Sequence, residues 1–145
     1  METLGKIWEV INISERANKL ALGAIRLIKK RTRQGIDISG NPFIPYSKKY
    51  ARKRERAGKE TSIVNLVYDD YFGMMNKIDH IVARDLSAVS ILIDDKEKSQ
   101  IARYHNIEGA GKGKVIRKFW GLSEEEEAQL SELAELEIKN IISSL

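Results

Sequence analysis

The apolar positions begin as a long helical stripe. Leu4, Ile7 and Ile11 share one face, and Leu20, Ala21, Ala24, Ile25 and Ile28 continue it at steps of three and four, so residues 2–33 read as helix. Asn12 or Ser14 offers an interruption, because Ser14-Glu15-Arg16-Ala17 reads as a fresh helix start. Lys29, Lys30, Arg31 and Arg33 crowd the last turn, where cations complement the helix dipole, and Gly35 is a natural C-cap. A loop from Gly35 to Pro45 follows and holds both prolines; Pro42 keeps Asn41 out of the helical region, and Phe43 and Ile44 are expected to plug back into the core. Ser47 then caps a short helix from Lys48 to Ala57, stopped by Gly58. That helix is polar nearly all round, with Tyr46, Tyr50 and Ala51 as its apolar footing, so most of it must face water or a partner.

The period changes beyond residue 60. Ile63 to Leu66 is a short apolar piece, and the segment from Asp69 to Ile78 reads as a turn or short helix, weakened by Gly73, that leads into strand. Met74 and Met75 within it read as core filling. Ile81 to Arg84 and Ala88 to Ile93 form the best hairpin, joined through Asp85-Leu86-Ser87, with Val89, Ile91 and Ile93 at strand period. Lys96 to Ile107 reads as helix, with Ile101, Ala102, Tyr104 and His105 nearest the core. A loop with Gly109, Gly111 and Gly113 follows, then Val115 to Phe119 as a third strand. Ser123 with Glu126 three residues on is a capping box, and it opens a helix from Glu124 to about Ile142. Leu130, Leu133, Ala134, Leu136, Ile138 and Ile141 supply its buried stripe. The sum is an α+β fold: a small antiparallel sheet flanked by long N-terminal and C-terminal helices, in one domain over residues 1–145.

Composition narrows the chemistry. With no cysteine, disulfides and thiolate metal sites are excluded. No run approaches the ~20 apolar residues of a membrane span, and the N-terminus lacks the blocks of a signal peptide, so the expected setting is a cytoplasm. The net charge of +4 conceals an asymmetry: Lys29 to Lys59 holds eleven Lys or Arg against Asp37 and Glu55, so that segment is +9 and the remainder −5. Such a block calls for an anionic partner, either nucleic acid or the acidic face of another subunit. Its densest part, Lys48, Lys49, Arg52, Lys53, Arg54, Arg56 and Lys59, is the candidate patch.

Candidate catalytic groups are sparse. His105 has Glu108 at i+3, one pair where a metal needs several convergent ligands, and no Gly-x-Ser-x-Gly is present. Gly109-Ala-Gly-Lys-Gly-Lys lacks the spacing of a phosphate loop and follows a helix where such a loop follows a strand. No catalytic residue, metal ligand or cofactor is expected. The glycine loop instead suits insertion against a neighbouring subunit, and the stretch around it nominates Tyr104, His105, Gly109, Gly111, Gly113, Arg117, Phe119 and Trp120 as interface.

Four stretches in order carry a resemblance. Gly40-Asn41-Pro42-Phe43-Ile44-Pro45-Tyr46-Ser47 is similar to a Gly-x-x-Trp-x-Pro-Leu-Ser pattern, and the basic helix follows it. Ile101-Ala102-Arg103-Tyr104-His105-Asn106 is similar to Tyr-Ala-x-x-His-Gln-x-Gly. Ile116-Arg117-Lys118-Phe119-Trp120-Gly121-Leu122-Ser123 is similar to Pro-x-Arg-x-Phe-Leu-Gly-Leu-Ser ahead of an acidic helix. Together they resemble the phage virion morphogenesis family of tail-completion proteins, over about residues 15 to 140. Two features depart from it: Tyr71-Phe72-Gly73-Met74 stands where the family has a Thr-Gly motif, and no proline precedes Ile116. The resemblance implies a non-catalytic virion protein of a tailed phage or prophage, assembled in the host cytoplasm. It would form a ring, a hexamer by resemblance, at the head–tail junction. Its neighbours would be neck, connector or tail-tube proteins, with DNA passing through the lumen and no membrane. The alternative is a small nonspecific nucleic-acid-binding protein that uses residues 48–59.

Overall fold

The computed structural model describes residues 2–66, 73–85 and 88–144, with side chains from Ser14 onward. It is the α+β fold of the sequence reading, a two-stranded antiparallel sheet flanked by a long helix from each end of the chain. Helix α1 runs Glu2–Arg33 without a break, so Asn12 and Ser14 do not interrupt it. It closes at Gly35, whose N–H donates to Thr32 O at 3.0 Å. Helix α2 is Lys48–Arg56, and its N-cap Ser47 Oγ accepts from Tyr50 N. A 3-10 turn, Met74–Lys77, leads into β1 (Ile78–Val82), which pairs with β2 (Val89–Ile93). Helix α3 (Lys96–Arg103) continues into a π turn, Tyr104–Glu108, and α4 is Glu124–Ser143.

The core gathers residues from α1, the 3-10 turn, β1, α3 and the loops between elements: Ile25 and Ile28 of α1, Phe43, Val64, Leu66, Met74, Met75, Ile78, Ala102 and Phe119. Met74 and Met75 fill it, as read from their chemistry. Helix α1 lies against both the hairpin and α4. It runs antiparallel to α4, since Arg16 meets Glu137 at one end and Arg31 meets Glu126 at the other. Between them stands Gly23, where a Cβ would approach Leu130 Cδ2 to 3.3 Å. A side chain there would press on Leu130, which would have to give by a few tenths of an ångström.

Several expectations are corrected. Ile44 does not join Phe43 in the core and is 54% exposed, because the chain turns outward there while its carbonyl points back to Arg117. Strand β1 starts at Ile78, three residues before the expected Ile81: Ile78 pairs with Ile93 and is buried, whereas Ile81 falls on the outward side of the pleat. Tyr104 is exposed, because the helix widens into the π turn there.

Val115 to Phe119 is not a strand. Its backbone groups go to three separate segments: Val115 bridges Ala110, Arg117 N donates to His105 O, and Lys118 O accepts from Ile38 N. On α4 the expected apolar stripe is only half-buried, with Leu136 and Ile138 exposed, and the fully buried positions are Glu126 and Glu137. Glu137 takes hydrogen bonds from Arg16 and Lys19, and that of Lys19 holds its carboxyl below the usual range. The expected face of Leu4, Ile7 and Ile11, the Tyr71-Phe72 part of the turn and the Leu86-Ser87 part of the hairpin connection lie outside the described residues or side chains.

Candidate interaction surface

The three stretches around residues 45, 105 and 118 are distant in sequence and adjacent in space. Arg117 is buried and ties them. Its Nε donates to Ile44 O at 2.7 Å and its Nη2 to Pro45 O at 3.0 Å, while its own N–H donates to His105 O at 2.7 Å. Asn106 completes the knot: its amide nitrogen donates to Ala102 O and its amide oxygen accepts from Trp120 N at 2.9 Å. The basic helix is attached through a second buried arginine. Arg54 donates to Glu60 O and stacks over Tyr46 at 4.9 Å from the ring centre, with Arg117 5.8 Å from the same ring. The Tyr46 hydroxyl in turn accepts from Asn65 N. A buried guanidinium is costly unless its donors are met, and backbone carbonyls in loops meet them here.

This arrangement divides the sequence-predicted interface. Tyr104, Gly111 and Gly113 lie on the surface, and His105 and Trp120 are half-buried. Gly109, Arg117 and Phe119 lie inside the subunit and offer no surface to a partner. The glycine loop is a defined turn. Ala110 and Val115 exchange both backbone hydrogen bonds, and Gly111 O accepts from Lys114 N, which leaves residues 111–114 projecting as the tip. Gly109 makes the turn possible: at φ +86° a Cβ would lie 2.4 Å from Lys114 O. Asn106 and the two bracing arginines were not legible as braces in the sequence, because their hydrogen-bond partners are backbone groups, which carry no residue signature.

The basic patch divides too. Arg54 is a brace, but Lys48, Lys49, Arg52, Lys53, Arg56 and Lys59 are exposed, and none has an ion pair among the described residues. Lys48, Lys49, Arg52, Lys53 and Arg56 lie together on one open face of the helix beside Tyr50. At about 100° per residue these five cations occupy an arc of about 140°, opposite Arg54. Glycine tip and cationic face are thus two exposed features held by one rigid knot. Among the described residues no three His, Asp or Glu side chains converge as a metal site, and no helix is long and apolar enough to cross a membrane.

His105 carries a pH consequence. Burial, aided by the charge of Arg117, lowers its pKa from 6.5 to about 4. As pH falls below 6.5 the unfolded chain takes a proton that the folded chain refuses, so stability drops until about pH 4. With the ring partly open to water, the loss is about 1–2 kcal/mol. Urea unfolding at pH 7 and pH 5 should show a steeper decline for the native chain than for His105→Gln; equal slopes would contradict the assignment.

Compared with known protein families, curated proteins and solved structures, the chain matches none.

Proposed function

We propose that this protein is a structural virion component of a tailed phage or prophage, a tail-completion or neck protein that assembles as a ring at the head–tail junction. One observation carries the reading. The stretches that bear the family resemblance meet at a single knot, with Arg117 bonded to the carbonyls of Ile44 and Pro45 and Asn106 bonded to Trp120 N. Residues spaced this far apart have a shared physical reason to occur together in order. They build a brace that presents the glycine tip and the basic helix outward, as a ring subunit needs, since a ring joins one face of a subunit to a different face of the next. The reaction of this domain is association, and its neighbours are other copies and the adjoining neck or tail proteins.

Native mass spectrometry and negative-stain images of the full chain test the reading. The expected result is a closed ring of one copy number, with a hexamer favoured by the resemblance. A strict monomer at high concentration would overturn it. A second reading, nonspecific nucleic-acid binding, is favoured by the exposed cations of α2, which have no ion pair among the described residues. It predicts DNA binding that falls steeply with salt and is weakened at least tenfold by reversing Arg52 and Arg56. Arg54 is left intact in that test because it braces Tyr46. No retention on DNA at low salt would remove this reading.

A further inference from the structure

Helix α4 carries a second charged face. Glu124, Glu125, Glu132 and Glu135 are exposed and have no ion pair among the described residues. At about 100° per residue they fall within an arc of about 100°, on the side of α4 opposite buried Glu126 and Glu137. That arc also holds exposed Leu136 at its margin, as exposed Tyr50 lies beside the α2 cations. The two faces are of comparable length, about 12 Å along α2 from Lys48 to Arg56 and about 17 Å along α4 from Glu124 to Glu135. Among the described residues neither face has an ion pair within its own subunit: five cations on one side and four carboxylates on the other point away from the core, with exposed Lys139 the one cation on the α4 arc, a turn beyond Glu135.

We infer that the cationic face of α2 docks on the acidic face of α4 of a second copy of this chain. The inference rests on the ring reading and names its contact. It is favoured over a nucleic-acid backbone as occupant of α2 because the same molecule carries an acidic face of similar extent that has no ion pair among the described residues. A DNA ligand would satisfy the cations and leave α4 without a complement. Because the faces are unlike, the contact is heterologous, and repetition generates a closed ring or an open filament. Tyr50 and Leu136 supply an apolar element beside the charges, which gives the contact attraction beyond exposed ion pairs that are individually weak. Association steered this way weakens as salt shortens the reach of the charges.

A charge-swap experiment on the full chain tests this, read by analytical ultracentrifugation and native mass spectrometry. One variant carries Lys49→Glu, Arg52→Glu and Lys53→Glu; the other carries Glu125→Lys, Glu132→Lys and Glu135→Lys. All six positions are exposed, so circular dichroism and melting should match the native chain. Each variant alone is expected to lose assembly at least tenfold, because both of its faces then bear one sign. An equimolar mixture is expected to reassemble with the two variants alternating, since each then offers what the other lacks. A native chain that never associates would overturn the ring reading itself. Native assembly that survives both reversals would overturn this contact and leave the ring standing. Loss of assembly in both variants without rescue on mixing would also overturn the pairing. Retained assembly with lost DNA binding in the α2 variant would assign that face to nucleic acid instead.

Discussion

Replacing Arg31 by Met is expected to lower the unfolding free energy by about 3–5 kcal/mol, the usual cost of removing one partner from a buried ion pair. Arg31 is 7% exposed and sits at the end of α1, which the sequence marks only as a run of last-turn cations. Its Nη1 meets the Glu126 carboxylate, and its Nη2 donates to Phe119 O at 2.6 Å and Gly121 O at 2.9 Å. Glu126 is simultaneously the capping-box residue of α4, since its Oε2 also accepts from Ser123 N at 2.8 Å. One carboxylate therefore starts α4 and fixes it to the end of α1. Methionine fills the space but leaves a buried carboxylate and two carbonyls unmatched. The double variant Arg31→Met, Glu126→Gln keeps the capping hydrogen bond and removes the stranded charge, so it should recover about 1–2 kcal/mol of the loss. Equilibrium urea unfolding of the native chain and the two variants, at constant m-value, measures this. A loss under ~1 kcal/mol for Arg31→Met would show that desolvation already cancels the pair.

Phe119→Ala should cost a similar ~3–5 kcal/mol, through lost transfer energy and the cavity left behind. The side chain is wholly buried, 0% exposed, within the cluster that joins α1, the 3-10 turn and α3. Trp120→Ala should cost less than half as much, because that ring is only half-buried and meets Phe119 edge-on at 6.2 Å. The pair separates two roles that the sequence assigned together. If Phe119 belonged to a subunit interface, its loss would change assembly and leave monomer unfolding nearly intact. The expected result is the reverse: the Phe119→Ala monomer melts early at every concentration, whatever its oligomeric state.

Much of this fold was legible in advance, for local reasons. The capping box at Ser123, the Ser47 cap and the stop at Gly35 each depend on residues within a turn of one another, so the local order of residues specifies them. The hairpin's second strand showed its period; the first was displaced because both Ile78 and Ile81 are apolar and only pairing with β2 decides which one is inside. The third strand failed because hydrogen-bonding partners of an apolar run are not written in the run: Val115 to Phe119 shares its groups among Ala110, His105 and Ile38.

The candidate surface divides along the same line. That residues 48–59 are a dense cationic helix, and that a glycine-rich turn follows Ile107, depends only on residue type and order, and the sequence alone determined both. Which charges remain available was decided by tertiary structure. Arg31, Arg54 and Arg117 look like their surface neighbours in the sequence, yet each is drawn inside by carbonyl oxygens, a carboxylate or a tyrosine ring contributed from elsewhere in the chain. A guanidinium can be buried wherever enough acceptors converge, and convergence is a property of the folded chain. The outward cations of α2 and the outward carboxylates of α4 are those to which, among the described residues, no such acceptors or donors are brought near.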